Sequence, residues 1–347
     1  MTDTITARSD RARLRSALIE RIGGHLAAHA MGLATELRVP DLIARGLRTS
    51  AELAARTGTH QPSLRRLLRV LAAVGLVSEP EPDTFELTDM GEQLCEDSPN
   101  SLYAFTRVFL HPLLTSPWQD LRHVVTTGKP AFDQAHGKDF YSCLAEQDDL
   151  SALFNVAMGE ESRISAAQLA AGHDFSDARV VVDLGGGDGT LLSAVLGEHP
   201  HLSGIVFDSP SGVAEAPEVL RAAGVADRCE VRAGDFFQEI PADGDLYVIK
   251  SVFQDWDDES ARTILRTCRA HLPAGATLLI VGTVLPETAS ADEPIPFFTD
   301  LNMLVLAGGR ERTETEFRAL LTATGFEVRE VRGGAAGPLA TIAAVPV

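Results

Sequence analysis

The stretch that most constrains this 347-residue chain runs from Val180 to Thr190, Val-Val-Val-Asp-Leu-Gly-Gly-Gly-Asp-Gly-Thr, and continues into Leu191-Leu192-Ser193-Ala194-Val195. An apolar run that halts at glycines and resumes with helical spacing predicts a buried strand, a tight turn and a helix. Gly185, Gly187 and Gly189 allow backbone angles and a close ligand approach that side chains would block, and the helix start behind them offers free N–H groups. The stretch reads as a nucleotide-binding first βα turn, so the fold class it opens is α/β.

Such turns serve NAD, FAD and S-adenosylmethionine (SAM) alike, so the glycines alone leave the nucleotide open. Two details favour SAM. Thr190 stands at the last position of a dinucleotide fingerprint, and Asp183 puts an acid where a pyrophosphate would be repelled but an ammonium or sulfonium would not. From Val180 onward strands and helices alternate. Ile205–Asp208 reads as the second strand, and Asp208 lies 23 positions after Gly185, close to the spacing at which a carboxylate grips ribose hydroxyls. In Ala-Gly-Asp-Phe-Phe, Asp235 could accept from an adenine amino group and Phe236 could cover the ring. Lys250 ends the apolar run Leu246–Lys250, at the kind of strand end where ligands of open α/β sheets gather. Thr277–Leu285 reads as a later strand, residues 298–306 and 313–323 as helices, and 326–331 with 339–345 as a closing strand pair.

Ahead of this region, apolar residues from Arg13 to Arg45 recur at helical intervals, interrupted by Pro40. Thr49 is an N-cap signal for a short helix, Pro62 opens another, and Thr84–Leu87 reads as a brief strand. Helix, turn, helix and wing is the order of a winged helix, and Arg65, Arg66 and Arg69 could face a duplex from the second helix. A formal net charge of −19 argues against nucleic acid as a partner, which favours a solvated face on a dimerisation domain. Residues 100–172 read as helices whose aromatic side chains could roof a pocket for a flat ligand. The expected division is 1–99, 100–172 and 173–347. Four scattered cysteines show no metal spacing, the acids Asp257–Glu259 suit a helix start better than a metal, and no apolar run of about 18 residues suggests a membrane segment. A cytoplasmic protein is the expectation.

With those residues in place, nearly the whole chain resembles the bacterial SAM-dependent O-methyltransferases related to plant caffeate and flavonoid O-methyltransferases. The resemblance rests on Asp183-Leu-Gly-Gly-Gly-Asp-Gly, Phe207-Asp208-Ser-Pro, Gly234-Asp235-Phe236-Phe237, Lys250-Ser-Val-Phe-Gln-Asp-Trp256 and Gly308-Gly-Arg-Glu-Arg-Thr313, in that order. It implies a Rossmann-like class I methyltransferase domain with a mostly parallel seven-stranded sheet behind an N-terminal helical winged-helix domain. It also implies a homodimer, a small aromatic substrate, and SAM held by Asp183, Gly185, Gly187, Asp208, Asp235, Phe236 and Lys250. No membrane or nucleic-acid partner is implied.

Members of that family carry His-Asp-Trp where this chain has Gln254-Asp255-Trp256, and their His is the general base. A family Glu that orients the His falls on Gly282, whereas the Glu of the Gly-Gly-x-Glu-Arg-Thr motif is kept as Glu311. A phenol with a pKa near 10 is about one part in a thousand ionised at pH 7, a handicap of about 4 kcal/mol. Correct placement of the reactants can contribute roughly 7–11 kcal/mol, so loss of the base need not end catalysis. An amide orients a hydroxyl but takes no proton. Gln254, Glu311 and, as a substitute base, His111 in Phe109-Leu-His-Pro112 are the candidate catalytic residues. O-methylation of a phenolic hydroxyl in natural-product biosynthesis is the leading expectation. C-methylation of an electron-rich hydroxyaromatic, or non-methylating chemistry on a SAM-binding fold, are the alternatives.

Overall fold

A computed structural model describes residues 2–99, 101–333 and 339–347, the side chains of residues 2–10 excepted. The chain forms two compact units, Met1–Ser116 with Glu146–Glu160, and Pro117–Ala145 with Glu161–Val347.

The first unit opens with a helix at Thr2–Glu36, followed by helices at Val39–Ala44, Ser50–Thr57 and Gln61–Ala73. Pro40 sits in the first turn of the second, where its missing N–H breaks no helical bond. Thr49 caps the third in a full capping box with Glu52, as its sequence position predicts. Leu53, Leu68 and Phe85 are sealed from solvent in the core. A hairpin of β1 (Val77–Glu81) and β2 (Thr84–Leu87) closes the winged-helix order. Strand β1 is not evident in the sequence because Val-Ser-Glu-Pro-Glu turns one apolar residue inward and carries a proline, and its ladder is bulged. This hairpin supplies acids to the arginines that raised the duplex reading: Arg65 lies 3.2 Å from Asp83 and Arg69 3.5 Å from Glu79. Much of the free positive charge a groove-facing helix needs is thereby neutralised. The long first helix instead shows water an apolar stripe, Leu14, Leu18, Ile22 and Leu26, each more than half exposed and spaced four residues apart.

In the second unit, seven strands form one sheet: β3 (Val180–Leu184), β4 (Ser203–Asp208), β5 (Cys229–Ala233), β6 (Leu246–Lys250), β7 (Thr277–Gly282), β10 (Phe326–Arg332) and β11 (Ala340–Pro346), in the order β10-β11-β7-β6-β3-β4-β5. The five central and edge strands from β7 to β5 are parallel, and β10 and β11 join antiparallel. Alternate residues serve opposite faces. Val182, Tyr247 and Leu278 pack with the helices Asp258–His271 and Glu314–Ala323, while Val181, Val248 and Leu279 pack with Thr190–Glu198. Strand order reverses between β3 and β6, which opens a crevice at their C-terminal ends.

The expected strand Thr277–Leu285 is broken at Thr283. Strand β7 stops at Gly282, and β8 (Val284–Leu285) leaves the sheet to pair in parallel with β9 (Arg312–Thr313). That short pairing carries residues 308–313 to the end of β6. There they are stitched to the turn Phe253–Asp255. Arg312, 1% exposed, donates to Phe253 O at 2.8 Å, to Trp256 O at 2.9 Å and through Nε to Asp258 Oδ1 at 3.0 Å. The Arg310 N–H donates to Gln254 O at 2.9 Å. Gly309 lies so close that an added Cβ would stand 2.1 Å from Gln254 O.

This contact is testable. Gly309→Ala should cost about 1–3 kcal/mol by forcing the two loops apart and should lower the melting temperature and turnover together. Gly197→Ala, in a helix where a Cβ meets nothing within 4 Å, is the control and should be neutral or stabilising. Calorimetry that finds the two variants equally stable would refute the close-approach argument.

Candidate active site

The glycine turn after β3 folds as its sequence requires. Gly185 has φ +77°, and a Cβ there would lie 2.7 Å from Val252 Cγ2. At Gly187 (φ +53°) a Cβ would meet nothing within 4 Å, so the backbone borders open space. Asp208, at the end of β4, is drawn to this turn, its Oδ2 accepting from the Gly187 N–H at 3.0 Å. Phe236 approaches from the turn after β5, its Cε1 lying 3.8 Å from the Cβ position of Gly185. Asp235 is exposed, and its oxygens accept from the Phe237 N–H at 2.9 Å and the Gln238 amide at 2.8 Å. A carboxylate has lone pairs beyond those two bonds.

Asp183 is 1% exposed and its Oδ2 has no hydrogen-bond partner among the described residues. Burial pushes its pKa up to about 7; the Lys250 ammonium pulls it back, while Asp208 and Asp188 push it further up. Lys250 is itself pulled down by burial and held up by Asp183, Glu161 and Asp188. Asp183, Asp188, Asp208 and Lys250 thus form one electrostatic neighbourhood around the turn. A buried carboxylate oxygen left unpaired beside an open backbone fits a ligand that carries positive charge.

A second group gathers at the ends of β6 and β7. Gln254 lies in the turn Phe253–Asp255, its Oε1 4.0 Å from the Cβ position of Gly282. Glu311 is 4% exposed, and its Oε1 has no hydrogen-bond partner among the described residues. Burial pushes the Glu311 carboxyl up to about 7, with Asp300 and Asp255 adding to the shift and the Thr283 hydroxyl and Arg312 opposing it.

Three parts of this group are not evident in the sequence. Ser251 is a non-glycine residue at φ +55°, and such strain tends to sit at functional sites. Asp255, inside the quoted Gln-Asp-Trp, is buried enough to push its pKa up to about 6. Asp300 accepts from the Glu311 N–H at 2.8 Å. A lone acid in the apolar helix Ile295–Leu306 is the signal that could have marked it.

His111 belongs to the first unit and does local work. It is the N-cap of the helix Pro112–Thr115, its Nδ1 accepting from the Leu113 N–H at 3.2 Å. Burial, then Arg107, lowers its pKa. With Nδ1 accepting, the neutral ring carries its proton on Nε2 and has no second lone pair to offer as a base.

Among the described residues no helix is long and apolar enough to cross a membrane. Family comparison matches residues 118–327 to an O-methyltransferase domain and 19–97 to an O-methyltransferase dimerisation domain. The chain is 44% identical to the O-demethylpuromycin-O-methyltransferase of Streptomyces alboniger, over 95% of this chain and 89% of that protein. The mitomycin 7-O-methyltransferase MmcR has the same fold, with a TM-score of 0.88 at 38% identity over 98% of this chain and 99% of that one. An O-methyltransferase from neocarzinostatin biosynthesis, solved in complex with SAM and 2-hydroxy-5-methyl naphthoic acid, has a TM-score of 0.76 at 34% identity, covering 92% and 96% of the two chains. A helical dimerisation domain followed by a glycine-turn α/β domain, matched along almost its whole length, makes this chain a member of the SAM-dependent O-methyltransferase family.

Proposed function

We propose that this enzyme methylates a phenolic hydroxyl on a small hydroxylated aromatic of natural-product biosynthesis, working as a homodimer in the cytoplasm. The observation that carries the reading is the pairing of two groups in one unit: the glycine turn with Asp183, Asp208 and Lys250, and, at the ends of β6 and β7, Gln254 with Glu311. The relatives' names support the substrate class, since puromycin, mitomycin and naphthoate acceptors are all substituted aromatics. The three-part division at residues 99 and 172 belongs to the same reading.

SAM supplies an electrophilic methyl carbon on a sulfonium. Toward it, the open backbone at Gly187 would admit close approach, Asp208 would accept from the ribose hydroxyls, and Asp235 with Phe236 would hold the adenine. Asp183 and Lys250 set the charge at the turn. At the acceptor, Gln254 replaces the family His. Its amide can hold a hydroxyl in line but cannot remove its proton, so placement carries more of the rate than in relatives with a base at this position.

Labelled SAM with a panel of hydroxylated aromatics tests the reading, with the methyl located by NMR. Methyl on oxygen is the expected product; methyl on carbon, or turnover that leaves SAM intact, would overturn it. In the same assay Gln254→His should keep turnover within about tenfold of the parent or raise it, since a general base is typically worth roughly 10²–10⁴ where it can act. A loss greater than that would mean that the amide has an orienting role an imidazole cannot fill.

The apolar stripe of the first helix and the dimerisation domain support the homodimer. Leu18→Glu combined with Ile22→Glu should shift analytical ultracentrifugation from dimer to monomer. A variant that still sediments as a dimer would place the interface elsewhere.

A further inference from the structure

We infer that Glu311 itself takes the proton from the acceptor hydroxyl, in a carboxyl cluster with Asp300 and Asp255 that the absence of a side chain at Gly282 leaves open toward Gln254. This rests on the O-methylation reading and adds to it the missing base.

Four observations converge on Glu311. Its Oε1 is buried without a partner among the described residues, an arrangement that costs about 1–3 kcal/mol unless a water or a ligand supplies the missing bond. Its backbone is fixed, because its N–H is held by Asp300 and its neighbours Arg310 and Arg312 are tied to the Gln254 turn. The nearest guanidinium is engaged elsewhere: Arg312 spends its N–H groups on Phe253 O, Trp256 O and Asp258. Finally, Gly282 carries no side chain at the point 4.0 Å from Gln254 Oε1, so no protein group fills the position of the family's second Glu.

The charged groups around Glu311 are Asp300 and Asp255, which disfavour its ionised form, and Arg312, which weakly favours it; the Thr283 hydroxyl also favours ionisation. With burial, they bring its titration to about 7, where a carboxylate is both available and basic enough to act. In the step, the hydroxyl proton passes to the Glu311 carboxylate. The acceptor oxygen forms a bond to the methyl carbon, and the carbon–sulfur bond breaks with its electron pair remaining on sulfur. One negative and one positive charge disappear, leaving a carboxylic acid and a neutral thioether, and Glu311 then returns the proton to water. A step that annihilates opposite charges is favoured by the low dielectric that burial creates.

The inference predicts a carboxyl that titrates near pH 7 in the protein bound to S-adenosylhomocysteine, seen by difference infrared spectroscopy as an acid carbonyl band that Glu311→Gln removes. A Glu311 band titrating in the ordinary carboxylate range overturns it without any acceptor present. Kinetics on 2-naphthol and a nitro-2-naphthol, whose hydroxyl is already ionised, give the second reading. Glu311→Gln should lower kcat by about 10²–10⁴ on the first and less than tenfold on the second. It should also abolish the acid limb of the pH profile and leave SAM affinity unchanged, and Glu311→Asp should recover part of the rate. Equal losses on both naphthols, or a retained acid limb, overturn the inference. Failure of the underlying reading shows separately, as methyl on carbon or no SAM consumed by the parent enzyme.

Discussion

The site depends on one buried guanidinium. Arg312 is almost free of solvent and binds two main-chain carbonyls and a carboxylate of the segment Phe253–Asp258. Burying an arginine is costly unless its donors are satisfied, and here they are satisfied by the loop that must be held still. Removing Arg312 would leave Phe253 O and Trp256 O without that donor, so the turn carrying Gln254 and Asp255 would lose its anchor. The adjacent contacts add to this. Gly309 lets the two backbones touch, and the short β8–β9 pairing delivers the anchoring segment to that point.

Around this anchor the sheet provides two different environments for acids. Asp183 is buried within β3, near a lysine and two further acids, next to a backbone left open by glycine. Such a site gains from a cation, because the ligand restores the ionised carboxylate that burial disfavours. Glu311 is buried among other acids, with its nearest arginine occupied. Such a site gains from a proton. The same desolvation therefore suits one carboxyl to hold a positive donor and the other to collect what the acceptor releases.

Much of this is legible in the residues, because the informative signals are local. The apolar run ending in glycines at Gly185 fixes a strand, a turn and a helix within a few positions. Thr49 with Glu52, and Thr313 with Glu316, announce helix starts in the same way, each closing a capping box. The parts that were not legible depend on partners distant in sequence. Thr277–Leu285 is mostly apolar, and its pairing with Arg312–Thr313 takes it out of the sheet beyond Gly282. Asp255 and Asp300 look like ordinary surface acids until the fold buries one and turns the other toward the backbone of Glu311. His111 misleads for the opposite reason. A histidine before a proline looks like free chemistry, yet its ring is spent capping the helix that the proline starts.

Gln254 is better understood together with Gly282 than alone. An imidazole base gains from a neighbouring carboxylate that stabilises the cation it becomes, whereas an amide takes no proton and gains nothing from one. An acid at position 282 would add a fourth carboxyl near Asp255, Asp300 and Glu311. Each added negative charge makes ionisation of its neighbours harder. A glycine at 282 adds no carboxyl, and the Gln254 Oε1 lies 4.0 Å from the place where its side chain would start. An amide at 254 and a glycine at 282 in this sense belong together: neither takes a proton, which leaves Glu311, pushed up to about 7, as the carboxyl of this group whose titration lies nearest to neutral pH.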